Sequence, residues 1–364
     1  MVRIFGKFIK PEECDVFEFA HGVYDIVFTH RQLMQDDFES IKPYLKPTTK
    51  IVTDISIESG NIGDFLEKYN IITKNEPYDF YLISDTILSE HEEFKNNKFK
   101  LLESYHISFY AYLNELTDHN IISDKQIFAE THNGFMSLNN SCRLHRVYLF
   151  TQFLKKNLSL DKTSFLFTTG GNNGFKYDRE TFKNCVDELK NKKLINDELY
   201  DKTINFNLPK VIDLDSNNYF QSDNRITDLY KDTILNLVTE NLSGMTPGDI
   251  YTPYIITFTE KTIKPFIAKQ IPLFFALPGL LNILRKLGFD LFDDLINNSY
   301  DREFDSAKRL DLILDELEKL LKMDLIQYKQ DNKERFDKNY NLLEKFNKSG
   351  EELVKEFLYN QIIK

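Results

Sequence analysis

Short β-rich runs recur along this chain, each ending in polar residues, with helix-like stretches between some of them. In the first half they fall at 2–9, 24–29 (YDIVFT), 50–56 (KIVTDIS) and 79–84 (DFYLIS), with helix-compatible stretches at 63–69 and 89–96. A second series begins near Ile127, with runs at 135–138 (FMSL), 164–168 (SFLFT), 234–239 (ILNLVT) and 271–276 (IPLFFA). Strands of this length alternating with helices predict parallel sheets joined by helical crossovers. The polar residues His30, Asp54 and Asp85 would then gather at the carboxyl edge of the first sheet, where open α/β sheets place ligands.

The rest of the second half reads as a polar turn, NNSCRLHR, an amphipathic helix at 147–158, and a polar insertion at 170–224 with a helix at 179–190. From Ser306 the spacing of Leu310, Ile313, Leu317 and Leu320 is helical, and two further helical stretches follow, separated at Ser349-Gly350. The predicted fold class is α/β, with two Rossmann-like domains facing across a cleft and a helical C-terminal tail. The predicted boundaries are 1–126, 127–305 and 306–364. A single large sheet gives much the same pattern and is the alternative.

A length of 364 residues favours two cores over one, and 31 Phe and 19 Tyr supply ample apolar surface for both. A net charge of −11 disfavours a broad basic surface for nucleic acid, leaving Lys95, Lys98 and Lys100 as one local basic cluster. The cysteines Cys14, Cys142 and Cys185 show no CxxC spacing, which predicts neither zinc nor a disulfide framework and points to a reducing compartment. The longest apolar run, 271–284, is short for a bilayer and broken by Pro272, Pro278 and Gly279. The opening MVRIFGKFIKPEECD is charged throughout and does not read as a signal peptide, so a cytoplasmic location without a membrane span is expected.

One stretch departs from ordinary core. In FTEKTIKPFIAKQIPLFFALPG a carboxylate and an ammonium, Glu260 and Lys261, stand at the mouth of a helix predicted at 262–269, with Pro265 in its first turn. A carboxylate there accepts hydrogen bonds from ribose hydroxyls, and a lysine beside a helix N-terminus meets phosphate oxygens. The plainer reading is an acidic first helical turn next to a solvated lysine.

Three segments carry a family likeness. ILNLVTEN followed by YIITFTEK resembles the paired Glu-Asn and Thr-Glu-Lys signature of the family 10 fucosyltransferases. FMSLNNSCRLHRVYLF and KPFIAKQIPLFFALPGLLNILRKLGFDLFDDL resemble stretches of phage and bacterial glycosyltransferase-like proteins, and the likeness spans roughly 133–310. It implies a GT-B glycosyltransferase whose second domain binds a UDP- or GDP-linked sugar without an essential metal or other cofactor. Glu260, following Thr259, would hold the ribose, and Lys261 and Arg143 would face the diphosphate. Glu240 and Asn241 would lie near the sugar, with Glu240 a further catalytic candidate, while His145 and Arg146 complete the turn. Gly279 and Gly288 fit as turn residues. Asn140 stands where relatives carry Arg, and the glycines at Gly170 and Gly171 lack dinucleotide-loop spacing. Asp213 and Asp215 are spaced as a metal-binding DxD, but exposed polar alternation on a strand is the preferred reading of DLD.

Transfer by inversion needs a base to take the acceptor's hydroxyl proton. The resemblance places that base in the first domain, where Asp54, Glu58, His30 and Asp85 are candidates, with Asp54 first because DISIES sets a second carboxylate nearby. The leading expectation is transfer from a nucleotide sugar to a glycan or small hydroxylated acceptor. The alternatives are a phage enzyme glycosylating hydroxymethylated bases in DNA, and a non-catalytic nucleotide-binding protein that oligomerises through its helical tail.

Overall fold

The computed structural model describes residues 26–30, 50–54, 73–74, 76–84, 100–103, 132–168, 177–210, 212, 230, 232–241, 243–245, 259–358 and 360. The chain divides into two compact units, one formed by Met1–Asn114, Tyr251–Thr257 and Lys345–Lys364, the other by Glu115–Ile250 and Phe258–Glu344.

In the first unit β1 (Ile26–His30), β2 (Lys50–Asp54), β3 (Asp79–Ser84) and β4 (Lys100–Glu103) pair in that order, all parallel. The first three match the apolar runs. The fourth, KLLE, escaped the sequence reading because two of its four residues are charged. Sequential order means that the chain never reverses its direction of travel across these strands.

The second unit holds β5 (His132–Ser141), β6 (Thr163–Thr168), β7 (Thr233–Thr239) and β8 (Ile271–Phe275), again all parallel, in the order β6-β5-β7-β8. The protein is therefore α/β with two separate four-stranded parallel sheets among the described residues, not one large sheet. Every residue of β6, β7 and β8 is buried, as expected of parallel strands covered on both faces. The β6 phenylalanines pack with Phe150, Phe153 and Phe182; the Phe150 and Phe165 rings are 4.9 Å apart, and Phe167 stacks on Phe182 at 5.1 Å.

A buried polar seam sets β5 against β7. Ser137 Oγ donates to the Leu237 carbonyl at 2.9 Å, Asn139 Nδ2 donates to Ser137 Oγ at 3.1 Å, and Thr239 Oγ1 donates to Asn139 Oδ1 at 2.8 Å. Each polar group finds its partner on the neighbouring strand or its own, so a slipped register would leave buried donors unmatched.

Helix α1 (Leu144–Lys156) follows β5, and α2 (Arg179–Asn191) and α3 (Asp197–Ile204) lie between β6 and β7. Helix α1 begins three residues before the expected start at Val147, because LHR belongs to its buried first turn. Helix α4 (Glu260–Ile267) joins β7 to β8, and Pro265 is its sixth residue, inside the helix instead of in the first turn. Helix α5 (Leu280–Lys286) starts from Gly279 at φ 93° and ends before Gly288 at φ 98°, two left-handed positions that suit glycine. Beyond a 3-10 turn at Asn298–Arg302 come α6 (Ser306–Leu320), α7 (Leu325–Asp331) and α8 (Lys333–Leu358). Helix α8 runs unbroken through Ser349-Gly350, where the sequence predicts a break. Helix α6 packs on β8, its buried stripe running through Leu310, Ile313, Leu314 and Leu317.

Candidate functional site

Strand order decides where a site can form. The chain leaves β5 toward β6 and leaves β7 toward β8, in opposite directions across the second sheet. The right-handed crossover rule puts α1 and α4 on opposite faces, and the connections after β5 and β7 diverge at their carboxyl ends. Arg143, His145, Arg146, Glu240, Asn241, Thr259, Glu260 and Lys261 all belong to those two connections.

Three side chains of the RLHR turn hold three successive backbone carbonyls where the chain leaves β7. Arg146 Nη2 donates to Thr239 O at 3.4 Å, His145 Nε2 lies 3.0 Å from Glu240 O, and Arg143 Nη1 donates to Asn241 O at 2.6 Å. Arg146 also reaches Asn241 Oδ1 at 3.3 Å. The sheet supplies its last bond here, from Glu240 N to Phe275 O at 3.1 Å, so carbonyls beyond it need other donors. The His145 ring stands edge-on to Phe275 at 5.8 Å. Burial, then the Arg146 and Arg143 charges, hold its pKa well below the usual imidazole value, and the neutral ring donates its Nε2 hydrogen to the carbonyl. Exposures of 1% for His145 and 2% for Arg146 leave neither ring nor guanidinium facing solvent, whereas Arg143 is half-buried.

Glu240 is fully buried and its carboxylate is engaged at the start of α4. It accepts from Thr259 N at 3.1 Å, from Thr259 Oγ1 at 2.9 Å and from Thr262 Oγ1 at 2.5 Å. Thr259 caps the helix in turn, its Oγ1 accepting from Lys261 N at 3.3 Å. The next carboxylate, Glu260, keeps 18% of its side chain exposed and pairs with Lys261 Nζ at 2.7 Å; the lysine side chain is 31% exposed. Burial alone would raise the Glu260 pKa, but the Lys261 and Lys264 ammonium groups outweigh it and hold the carboxyl at about 2. Burial likewise works against the Lys261 charge, and Glu260 and Glu240 overcome it.

Lys261 and Lys264 act on Glu260, Lys261 also feels Glu240 and Arg146, and Arg143 sits on the Asn241 carbonyl next in the chain to Glu240. That leaves a positive excess at a helix N-terminus in a chain whose net charge is −11. Chemically, such a place receives an anion with hydroxyl groups beside it.

Helix α6 adds a residue that the sequence reading passed over. Arg309 is 1% exposed, donates to the carbonyls of Glu303 and Ser243, and lies 3.1 Å from Ser306 Oγ, which itself donates to Ser243 O at 2.6 Å. These contacts hold the turn just beyond Asn241, where Gly244 has φ 77°. Burial lowers the guanidinium pKa to about 10. An arginine four residues before Ile313, on the apolar stripe of α6, was the available signal.

In the first sheet His30 and Asp54 are register partners at the carboxyl ends of β1 and β2. Glu58, Asp85, Asp213, Asp215, Lys95, Lys98, Gly170, Gly171 and the 2–9 run lie outside the described residues. Lys100 is exposed at the amino end of β4, with Nζ 3.3 Å from the Tyr81 hydroxyl. Among the described residues there is no group of three or more His, Cys, Asp and Glu side chains suited to a metal ion. No described helix is long and apolar enough to cross a membrane.

No protein-family model matches this chain, and no curated protein or solved structure matches it.

Proposed function

We propose that the protein is a nucleotide-sugar glycosyltransferase of GT-B type, with the donor's nucleoside diphosphate held at the carboxyl end of the second sheet. The observation that carries this reading is the juxtaposition of a partly exposed Glu260–Lys261 pair, the N-terminus of α4 and half-buried Arg143 at the reversal of strand order. Glu260, ionised across the physiological range, accepts the ribose hydroxyls. Lys261 and Arg143 meet the diphosphate. In the transfer the C1–oxygen bond to the diphosphate breaks and a C1–oxygen bond to the acceptor forms. The negative charge gathers on the departing diphosphate, where fixed cations lower the barrier without a metal. The acceptor's hydroxyl proton passes to a general base.

Burial changes the roles of three residues. Glu240, His145 and Arg146 are positioning residues in this reading: they fasten the ends of β7 and α4, and the exposed neighbours touch the ligand.

The test is thermal denaturation with UDP, GDP and ADP. UDP or GDP at about one hundred times its Kd stabilises by about 2.7 kcal/mol, a shift of several degrees in Tm. Glu260→Ala should abolish the ligand-induced shift, read against that variant's own unliganded Tm, which falls below the parent's with loss of the Glu260–Lys261 pair. A parent protein whose Tm is moved by neither UDP nor GDP at millimolar concentration overturns the reading.

A further inference from the structure

Phe304 is the most exposed large apolar side chain among the described residues, with 72% of its surface open. One exposed ring is ordinary on a surface, so what singles it out is its place. Residues 303–306 join the 3-10 turn to α6, and their backbone is fixed on both sides. Glu303 N donates to Tyr300 O at 3.0 Å, Asp305 N donates to Glu303 Oε1 at 2.8 Å, and the Asp305 carboxylate caps α6 by accepting from Ala307 N at 2.9 Å.

This segment stands at the carboxyl end of β8. Just before it, Asp301 O accepts at 3.0 Å from the N–H of Gly279, four residues past Phe275 at the end of the strand. Just after it, the Arg309 guanidinium lies 5.9 Å from the Phe275 ring. The segment is also fastened to the turn after β7, since Ser306 Oγ donates to Ser243 O at 2.6 Å and Arg309 bridges the carbonyls of Ser243 and Glu303. Two residues before Ser243, Asn241 O accepts from Arg143. With the strands in the order β5-β7-β8, the carboxyl edge presents Arg143, then the Glu260–Lys261 pair, then Phe304. Adjacent strands lie about 4.8 Å apart, so the ends of β5 and β8 are separated by about 10 Å.

We propose that Phe304 stacks on the nucleobase of the bound nucleotide. This contact rests on the nucleotide reading, to which it adds a partner for the ligand's base. With the diphosphate at Arg143 and Lys261 and the ribose at Glu260, the base is the part of the ligand carried toward β8. Every base offers a flat π face, and truncating an aromatic partner to alanine commonly weakens binding by about tenfold or more. Because purines and pyrimidines both stack, Phe304 contributes affinity for the nucleotide and does not choose between UDP and GDP.

The chain has no tryptophan, so Phe304→Trp places a single indole at the proposed contact. Its fluorescence should be quenched by whichever of UDP and GDP binds. Inorganic pyrophosphate, which carries the diphosphate charge without a base, should leave it unchanged. In calorimetric titration Phe304→Ala should weaken that nucleotide about tenfold and keep the parent's affinity for pyrophosphate. A Phe304→Ala protein that binds the nucleotide as tightly as the parent overturns the stacking contact and leaves the nucleotide reading standing. Equal weakening of nucleotide and pyrophosphate overturns it too, since the ring would then act through the turn that Arg309 holds. A parent protein that binds neither UDP nor GDP overturns both.

Discussion

Glu240 and Glu260 carry the same carboxylate and meet opposite fates. One accepts three hydrogen bonds and sees no solvent; the other keeps an open edge and a lysine partner. Because the folded-state pKa of Glu260 is depressed from 4.5 to about 2, its contribution to stability is present above 4.5 and is lost as pH falls through 2. Asp301 has the opposite sign. It accepts from Leu281 N at 3.2 Å at the start of α5, and burial, opposed by backbone donors, raises its pKa from 3.8 to about 6. Its contribution is fully present below 3.8 and is lost as pH rises through 6, by an amount on the order of 3 kcal/mol. Asp301→Asn keeps the acceptor and cannot ionise. Unfolding of parent and variant compared from pH 4 to pH 7 should show the variant gaining relative stability toward pH 7; parallel curves would mean that Asp301 does not titrate in this window. The motif residues at the β7 end were all legible in sequence, but their division into buried and exposed was not. Glu240 and Glu260 look alike until Thr259 and Thr262 are seen to converge on the first.

At the scale of elements, α4 is held to the sheet by a side chain that does not belong to it. Removing the Glu240 carboxylate strands the Thr259 N–H and the Thr259 and Thr262 hydroxyls in the interior. Glu240→Ala should therefore cost ~2–4 kcal/mol, read from urea denaturation, and Glu240→Gln less because one acceptor survives. Equal stability of parent and Glu240→Ala would show that the capping arrangement carries no weight. The strands were readable because parallel strands covered on both faces demand unbroken apolar runs, as ILNLVT and IPLFFA show. Failures came where tertiary partners overrode local character. NNSCRLHR reads as a polar turn, yet its asparagines and serine extend β5 and its LHR opens a buried helix, because β7 supplies acceptors for the polar side chains. Helix α8 passes through a glycine that costs only ~1 kcal/mol in a helix interior, too little to break a run of 26 residues.

For the whole molecule, the proposed site depends on segments far apart in sequence. Arg143 follows β5 and Lys261 opens α4, more than a hundred residues later. If both meet one diphosphate, Arg143→Ala and Lys261→Ala should each weaken UDP or GDP binding by about 10–100-fold. The double variant should lose less than the product of the two. Losses that multiply, measured by calorimetric titration, would mean that the cations act independently. The placement of β5 between β6 and β7 also has a consequence for how the protein is made. Ser137 on β5 waits for Leu237 on β7, a partner 100 residues downstream. At a synthesis rate of roughly 5–20 residues per second, the ribosome delivers that partner on the order of 5–20 s after β5 emerges. Through that interval β5 presents an open edge of unpaired backbone groups to every other nascent chain nearby. Translation speed across the 142–232 segment, and the chaperones that attend it, then govern how much of this protein reaches its folded state.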